Sequence, residues 1–255
     1  MLADDRRGRV TEVADRVHRI EHAFVNVYLV TGDDGRVLLV DTGLPAAWNV
    51  LGRALRELGR TPADVAAVVL THAHFDHTGT AARAQAVLGV PVWLHQEDHA
   101  VAAHPYRYAH ENARAWYPLR HPRSLPVLTS MVAAGALRVP GARGLRHAEP
   151  DAVLPVPGAP RVVFSPGHTA GHCALHLPDR GVLFTGDALV TLDPYTGERG
   201  PQIVAGAATA DSVTALSSLD ALVATGARTL LPGHGEPWHG PVAEAVARAR
   251  ATGAH

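Results

Sequence analysis

The sequence predicts an α/β protein in which two sheets pack face to face with helices outside. Short apolar runs of strand length alternate with longer helical patterns, and the same strand–helix grammar recurs on both sides of a central stretch of different composition. Four of the apolar runs end in a small-residue turn that carries a His or an Asp. A sheet or helix with one apolar face must bury it against another element, and layered packing closes such an alternation over a core. The duplication is one of topology, because no residue-level repeat accompanies it.

Taken in order, residues 24–30 are largely apolar, Gly32-Asp33-Asp34-Gly35 is turn chemistry, and residues 36–40 resume the strand pattern. After Asp41-Thr42-Gly43 a helical pattern runs over 45–58 and is closed by Gly59. Residues 65–70 read as a buried strand, 79–88 as a helix ended by Gly89, and 92–95 as a short strand. From 96 to about 150 the apolar runs shorten and His, Arg and Pro become dense around Tyr106, Tyr108, Trp116 and Tyr117. Lacking the Gly/Ser bias of a tether, this stretch reads as a mainly helical insert in one domain spanning 1–255. Strand patterns return at Arg161–Phe164, Cys173–Leu177 and 181–184. A helix over 211–224, a strand at 228–231 and a helix from about Pro241 complete the pattern.

The chain has 255 residues, 47% of them apolar, enough for a full core. A formal charge of −1, from 23 basic and 24 acidic residues spread along the chain, gives no reason to expect nucleic acid or an anionic membrane as partner. Cys173 stands alone, so no internal disulfide can form, which fits a reducing compartment. The stretch 1–10 is charged and lacks the apolar core of a secretory signal, and no window approaches the ~20 apolar residues needed to span a bilayer. The expectation is a cytoplasmic protein acting on a small molecule, with a homodimer open. Histidine, at 17 copies, is the unusual entry in the composition.

The special residues cluster at strand ends. Residues 65–70 run into His72-Ala73-His74-Phe75-Asp76-His77, Arg161–Phe164 into Gly167-His168, 181–184 into Gly186-Asp187, and 228–231 into Gly233-His234. In α/β sheets the ligand crevice lies at the carboxyl ends of strands, so four such turns can converge. His72 and His74, two apart, share a side in extended backbone but not on a helix. Four donors within six residues cannot readily surround one small ion, but they can serve two adjacent ions if other strands complete each shell. Imidazole with carboxylate suits Zn²⁺ first, with Fe or Mn as alternatives.

These motifs together closely resemble the metallo-β-lactamase-fold hydrolases, over about residues 24–238. The resemblance implies a four-layer αβ/βα sandwich with metals at one edge. It implies that His72, His74 and His168 hold one ion, that Asp76, His77 and His234 hold the other, and that Asp187 bridges both. Asp76 and Asp187 are accordingly the expected catalytic carboxylates. Asp41 matches a position beside the site, although a plain turn role fits it equally. His172 and His176 are expected to be structural, and Cys173 a small core residue. His18, His22, His95, His99, His104, His110, His121, His147, His239 and His255 are expected at the surface.

Two ions about 3.5–4 Å apart can share a water and lower its pKa towards neutrality, so a metal-bridging hydroxide is the expected nucleophile. No Gly-x-Ser-x-Gly motif is present, which removes the main covalent alternative. Within the resemblance, Asp187 argues against β-lactam opening, His74 against the diiron flavoprotein branch, and Asp76, His77 and His234 against the one-iron persulfide branch. Hydrolysis of a thioester, ester or lactone, as in glyoxalase II and its relatives, is the favoured reading. A nuclease or phosphodiesterase, a β-lactamase and a non-catalytic metal-binding protein are the alternatives. Substrate choice is expected to reside in the insert, where Tyr106, Tyr108, Trp116 and Tyr117 supply walls and Arg107, Arg114 or Arg120 could receive an anion.

Overall fold

Strand β3 (Val25–Thr31) is buried at all seven positions, as a strand covered on both faces must be. Its neighbours in this computed structural model, which describes residues 8–255, are β1 (Arg9–Ala14) and β2 (Val17–His22) before it, then β4 (Val37–Val40). The chain continues through α1 (Ala47–Glu57), β5 (Val65–Val69), α2 (Phe75–Thr78), α3 (Ala81–Leu88) and β6 (Val92–Leu94). Then come α4 (His99–Ala103), α5 (Tyr117–Arg120), α6 (Leu125–Ala133) and β7 (Arg146–His147). The second half comprises β8 (Arg161–Phe164), β9 (Cys173–Leu177), β10 (Val182–Gly186), β11 (Val190–Leu192), β12 (Arg199–Gln202), α7 (Ser212–Val223), β13 (Thr229–Pro232), β14 (Trp238–His239) and α8 (Val242–Thr252).

Strands β1 to β7 form one sheet in sequence order, and β14-β13-β10-β9-β8 form the other. The layers follow from side-chain alternation. Leu29 and Leu39 face Leu51, Ala54 and Ala84 of α1 and α3, whereas Tyr28, Val30, Leu38 and Val40 face Val162, Leu175, Leu177 and Phe184 of the other sheet. On the far side, Ala174, Leu183 and Leu230 pack on Leu219 and Leu222 of α7 and on Val242 and Val246 of α8. The order is helix, sheet, sheet, helix, which is the expected four-layer αβ/βα sandwich. Strands β4, β5 and β6 run parallel, as do β10 and β13, so their carboxyl ends lie along one edge.

Two expectations are corrected, for the insert and for two histidines, and two strands were not foreseen. Strands β1 and β2 escape a pattern reading because β2 buries polar residues: Arg19 is 2% exposed and donates to Glu236 at 2.9 and 3.0 Å. The insert ends earlier than residue 150, because β7 pairs in parallel with β6 and belongs to the sheet. It is helical only to Ala133, in short pieces. His22 and His95 are buried rather than at the surface. The charged stretch read over residues 1–10 lies largely outside the described residues. Among those described, no helix is long and apolar enough to cross a membrane.

Candidate metal centre

The seven expected ligand residues are all buried and meet at the carboxyl ends of β5, β8, β10 and β13. His74, in extended conformation, caps α2, whose first turn then carries Asp76 and His77. One short segment thus points four donors inward, through an extended pair followed by a helical turn. Asp187 is at the centre. Its carboxylate lies 3.4 Å from His234 Nε2, 3.5 Å from both His77 Nε2 and His168 Nε2, and 3.9 Å from His72 Nε2. Asp76 Oδ2 lies 3.3 Å from His234 Nε2.

Four of the five imidazoles, those of His72, His77, His168 and His234, are oriented by a partner that fixes the tautomer. The Thr71 hydroxyl donates to Asp41 at 2.9 Å and therefore accepts from His72 Nδ1 at 3.0 Å, which leaves the Nε2 lone pair of His72 free. Asp41 Oδ2 accepts from His77 Nδ1 at 3.0 Å, and the Phe24 carbonyl accepts from His234 Nδ1 at 2.8 Å. Thr209 donates to the Val204 carbonyl at 2.6 Å, so it accepts from His168 Nδ1 at 3.3 Å. Asp41 is thus a site residue, beyond its part in the turn, and its φ of 59° shows the chain bent to deliver it.

His172, expected to be structural, has a defined role. Its Nε2 accepts the backbone N–H of Asp187 at 3.1 Å and of Ala188 at 3.2 Å, while Nδ1 donates to Ser165 at 2.9 Å. Asp98, at the start of the insert, was not foreseen. It accepts from Ala73 N at 3.0 Å, Thr169 Oγ1 at 2.7 Å and Gly171 N at 2.8 Å, and so ties the His72–His77 loop to the His168 loop. A lone buried Asp outside a motif leaves no spacing signal in the sequence.

The electrostatics suit a cation. Burial drives His72 and His74 well below the ordinary imidazole pKa and His168 down to about 3, which keeps them neutral. Burial also pulls on His77, but Asp187, Asp76 and Asp41 outweigh it and hold that group at about 9. Burial likewise opposes ionisation of Asp187, yet His234 and His77 keep its carboxyl well below the usual range. His72 Nε2 and Asp187 Oδ1 are buried with no hydrogen-bond partner. Buried polar atoms without partners are costly, and two of them at the centre of a donor cluster are what a cation would satisfy. Three ligand groups meet distance limits for an ion: His72-His74-His168, His72-His77-Asp187 and Asp76-His77-His234, each within 4.8 Å. The residues present therefore fit two neighbouring divalent ions.

A cavity of about 230 Å³ opens on this cluster at His74, Asp76, Asp187 and His234. Tyr106, Tyr108 and Arg114 of the insert line it, with Leu128, Met131 and Leu137 as an apolar wall. Tyr195, between β11 and β12 and not foreseen, lines it too. Trp116 and Tyr117 do not: Trp116 is 59% exposed, and Tyr117 is buried, packed on Tyr195 and His121. Arg107 and Arg120 are exposed. A larger cleft of about 660 Å³ shares no residue with the cluster, and its acidic and basic side chains partly pair with each other, as Arg16 does with Asp33. The smaller cavity is the one joined to the chemistry.

The family model of the metallo-beta-lactamase superfamily matches residues 21–234. "Probable metallo-hydrolase YflN" of Bacillus subtilis is 27% identical over 252 residues, covering 94% of this chain and 91% of that protein. The N-acyl homoserine lactonase AttM of Azorhizobium caulinodans is 30% identical over 190 residues, covering 71% of this chain and 62% of that protein. The crystal structure of the metallo-beta-lactamase family protein TTHA1429 from Thermus thermophilus superposes with a TM-score of 0.65 at 33% identity, over 89% of this chain and 74% of that one.

Proposed function

The chain belongs to the metallo-beta-lactamase superfamily and is a metal-dependent hydrolase, and we propose that it cleaves a thioester, ester or lactone of a small molecule with two divalent ions, Zn²⁺ first among them. One observation carries this reading: a seven-residue donor cluster centred on Asp187 opens on a largely apolar cavity sized for an acyl compound. The lactonase relative supports it. When bound, the ions supply an activated water and electrophilic stabilisation of a carbonyl oxygen.

The chain's own residues do the rest. His72, His74 and His168 would hold one ion and Asp76, His77 and His234 the other, with Asp187 shared. Asp41, Thr71, Thr209 and the Phe24 carbonyl fix the imidazoles of His72, His77, His168 and His234, so these need no rotation when substrate arrives. Burial raises the Tyr108 hydroxyl far above its ordinary pKa and Tyr195 to about 12, so both stay protonated, and the two hydroxyls hydrogen-bond to each other. Cys173 is buried and burial raises its thiol to about 12, which removes it as a nucleophile. A charge of −1 with no basic block supports a small-molecule substrate over nucleic acid, and the single cysteine supports a cytoplasmic setting.

The test is a panel of an aryl ester, a thioester, a lactone, an aryl phosphodiester and a chromogenic β-lactam, each with metal-loaded and chelator-treated protein. Chelator-reversible turnover of the carbonyl substrates is expected. Turnover of the phosphodiester or the β-lactam alone would overturn the reading.

A further inference from the structure

Among the three arginines of the insert between Tyr106 and Pro122, Arg114 alone lines the cavity. Its Nε donates to the Ala207 carbonyl at 2.9 Å, which fixes the head group. Its Cζ lies 4.2 Å from the centre of the Tyr108 ring, and that ring in turn packs on His74 at 3.8 Å between centroids. Its Nη2 is buried without a hydrogen-bond partner. The wall beside it is apolar, from Leu128, Met131 and Leu137.

The buried Nη2 of this fixed guanidinium, beside apolar surface, has lost solvation that no hydrogen bond in the protein replaces. The planar fork matches carboxylate and phosphate groups, and stacking on Tyr108 sets its plane. We infer that Arg114 receives an anionic group of the substrate, so that the substrate is an acyl compound carrying an acidic group away from the bond that is cut. The apolar wall takes the hydrocarbon between the two. Arg107 and Arg120 are exposed and unplaced for this role. The inference rests on the hydrolase reading for its substrate class, but the receptor itself can be tested without turnover.

The binding arm uses calorimetry on metal-loaded protein with three ligands that are not cleaved: N-butyrylglycine, butyl phosphate and the neutral N-butyrylglycinamide. Wild type should bind an anionic ligand about tenfold or more tightly than the amide, and Arg114→Gln should remove that preference at unchanged metal content. Affinity for any anion held by the ions alone would survive the substitution. N-butyrylglycine outranking butyl phosphate identifies a carboxylate substrate, and the reverse order a phosphate. Arg114→Lys keeps the charge without the fork and should recover part of the preference, which separates charge recognition from damage to the fold. The kinetic arm compares a hemisuccinate aryl ester with a butyrate aryl ester, and Arg114→Gln should lower their kcat/KM ratio about tenfold or more. Absence of hydrolysis of either ester by wild type would count against the ester part of the proposed function and leave the binding arm to judge Arg114. An anion preference that is missing in wild type, or unaltered in Arg114→Gln, would overturn the inference.

Discussion

The Nε2 of His172 lies 3.1 Å from the backbone nitrogen of Asp187, and because a backbone N–H can only donate, that Nε2 carries a lone pair. The ring is therefore a neutral imidazole acting as a clamp on the loop that delivers the central carboxylate. Burial, which pulls this imidazole down to about 4, agrees with that state. His172→Phe keeps the volume but leaves the N–H of Asp187 without a partner, at about 1–3 kcal/mol, while Ala188 N–H keeps the Thr185 carbonyl at 3.2 Å. A melting temperature several degrees lower and metal affinity about 10- to 100-fold weaker are expected. Calorimetric melting and a chelator-competition titration check this, and wild-type values in both would remove the clamp from the account.

Gly233 precedes the ligand His234, and a Cβ there would collide with Asp187 Oδ1 and come within 2.7 Å of His77 Cε1. Gly233→Ala should therefore reduce bound metal and activity at least tenfold while the far-ultraviolet dichroism stays native. Gly181 is the contrast. Its φ is +60° and nothing lies within 4 Å of a built Cβ, so Gly181→Ala should cost about 1–2 kcal/mol of stability and no metal. Equal metal loss in both variants, or in neither, would show that close approach at Gly233 is not what shapes the site.

The ligands were legible because each follows an apolar run and a small-residue turn, a pattern that reports strand, bend and donor together. What orients them was less so. The Phe24 carbonyl reaches His234 because Ala23 and Phe24 adopt φ of 54° and 63°, a backbone choice that neither side chain announces. Strand β2 was missed because its buried Arg19 is neutralised by Glu236, some 217 positions away. Tyr195 was missed for a related reason. It is delivered by Asp193, whose carboxylate accepts from Tyr195 N at 2.7 Å and Ala205 N at 2.8 Å, a loop knot with no periodic signature. The insert was legible as a change of composition, but which aromatics face the cavity depends on packing that spacing does not encode.

That knot predicts a pH effect. His255 Nε2 lies 2.8 Å from Asp193 Oδ2, and this hydrogen bond, with a smaller push from Glu198, raises the His255 pKa against the opposing effect of burial. A histidine whose folded pKa lies above its unfolded value of about 6.5 contributes stability that is fully present below that pH and is lost as pH rises through the folded pKa. His255→Gln should therefore lower the melting temperature more at pH 6 than at pH 9. The difference should stay below about 1 kcal/mol, because the ring is partly exposed. The His255 carbonyl also accepts from Gly206 N at 2.9 Å and from Tyr117 at 3.2 Å, contacts the substitution leaves in place. A penalty that is equal at the two pH values, or larger at pH 9, would contradict the assignment.

The most direct test of the central claim is elemental analysis of purified, active protein beside its Asp187→Ala variant. Asp187 approaches the nitrogens of four histidines that belong to both halves of the donor set, so its loss should disturb both halves at once. Two divalent ions per wild-type chain are expected, with both depleted and hydrolysis abolished in Asp187→Ala. One ion per fully active chain, with Asp187→Ala retaining metal and activity, would contradict the dinuclear account.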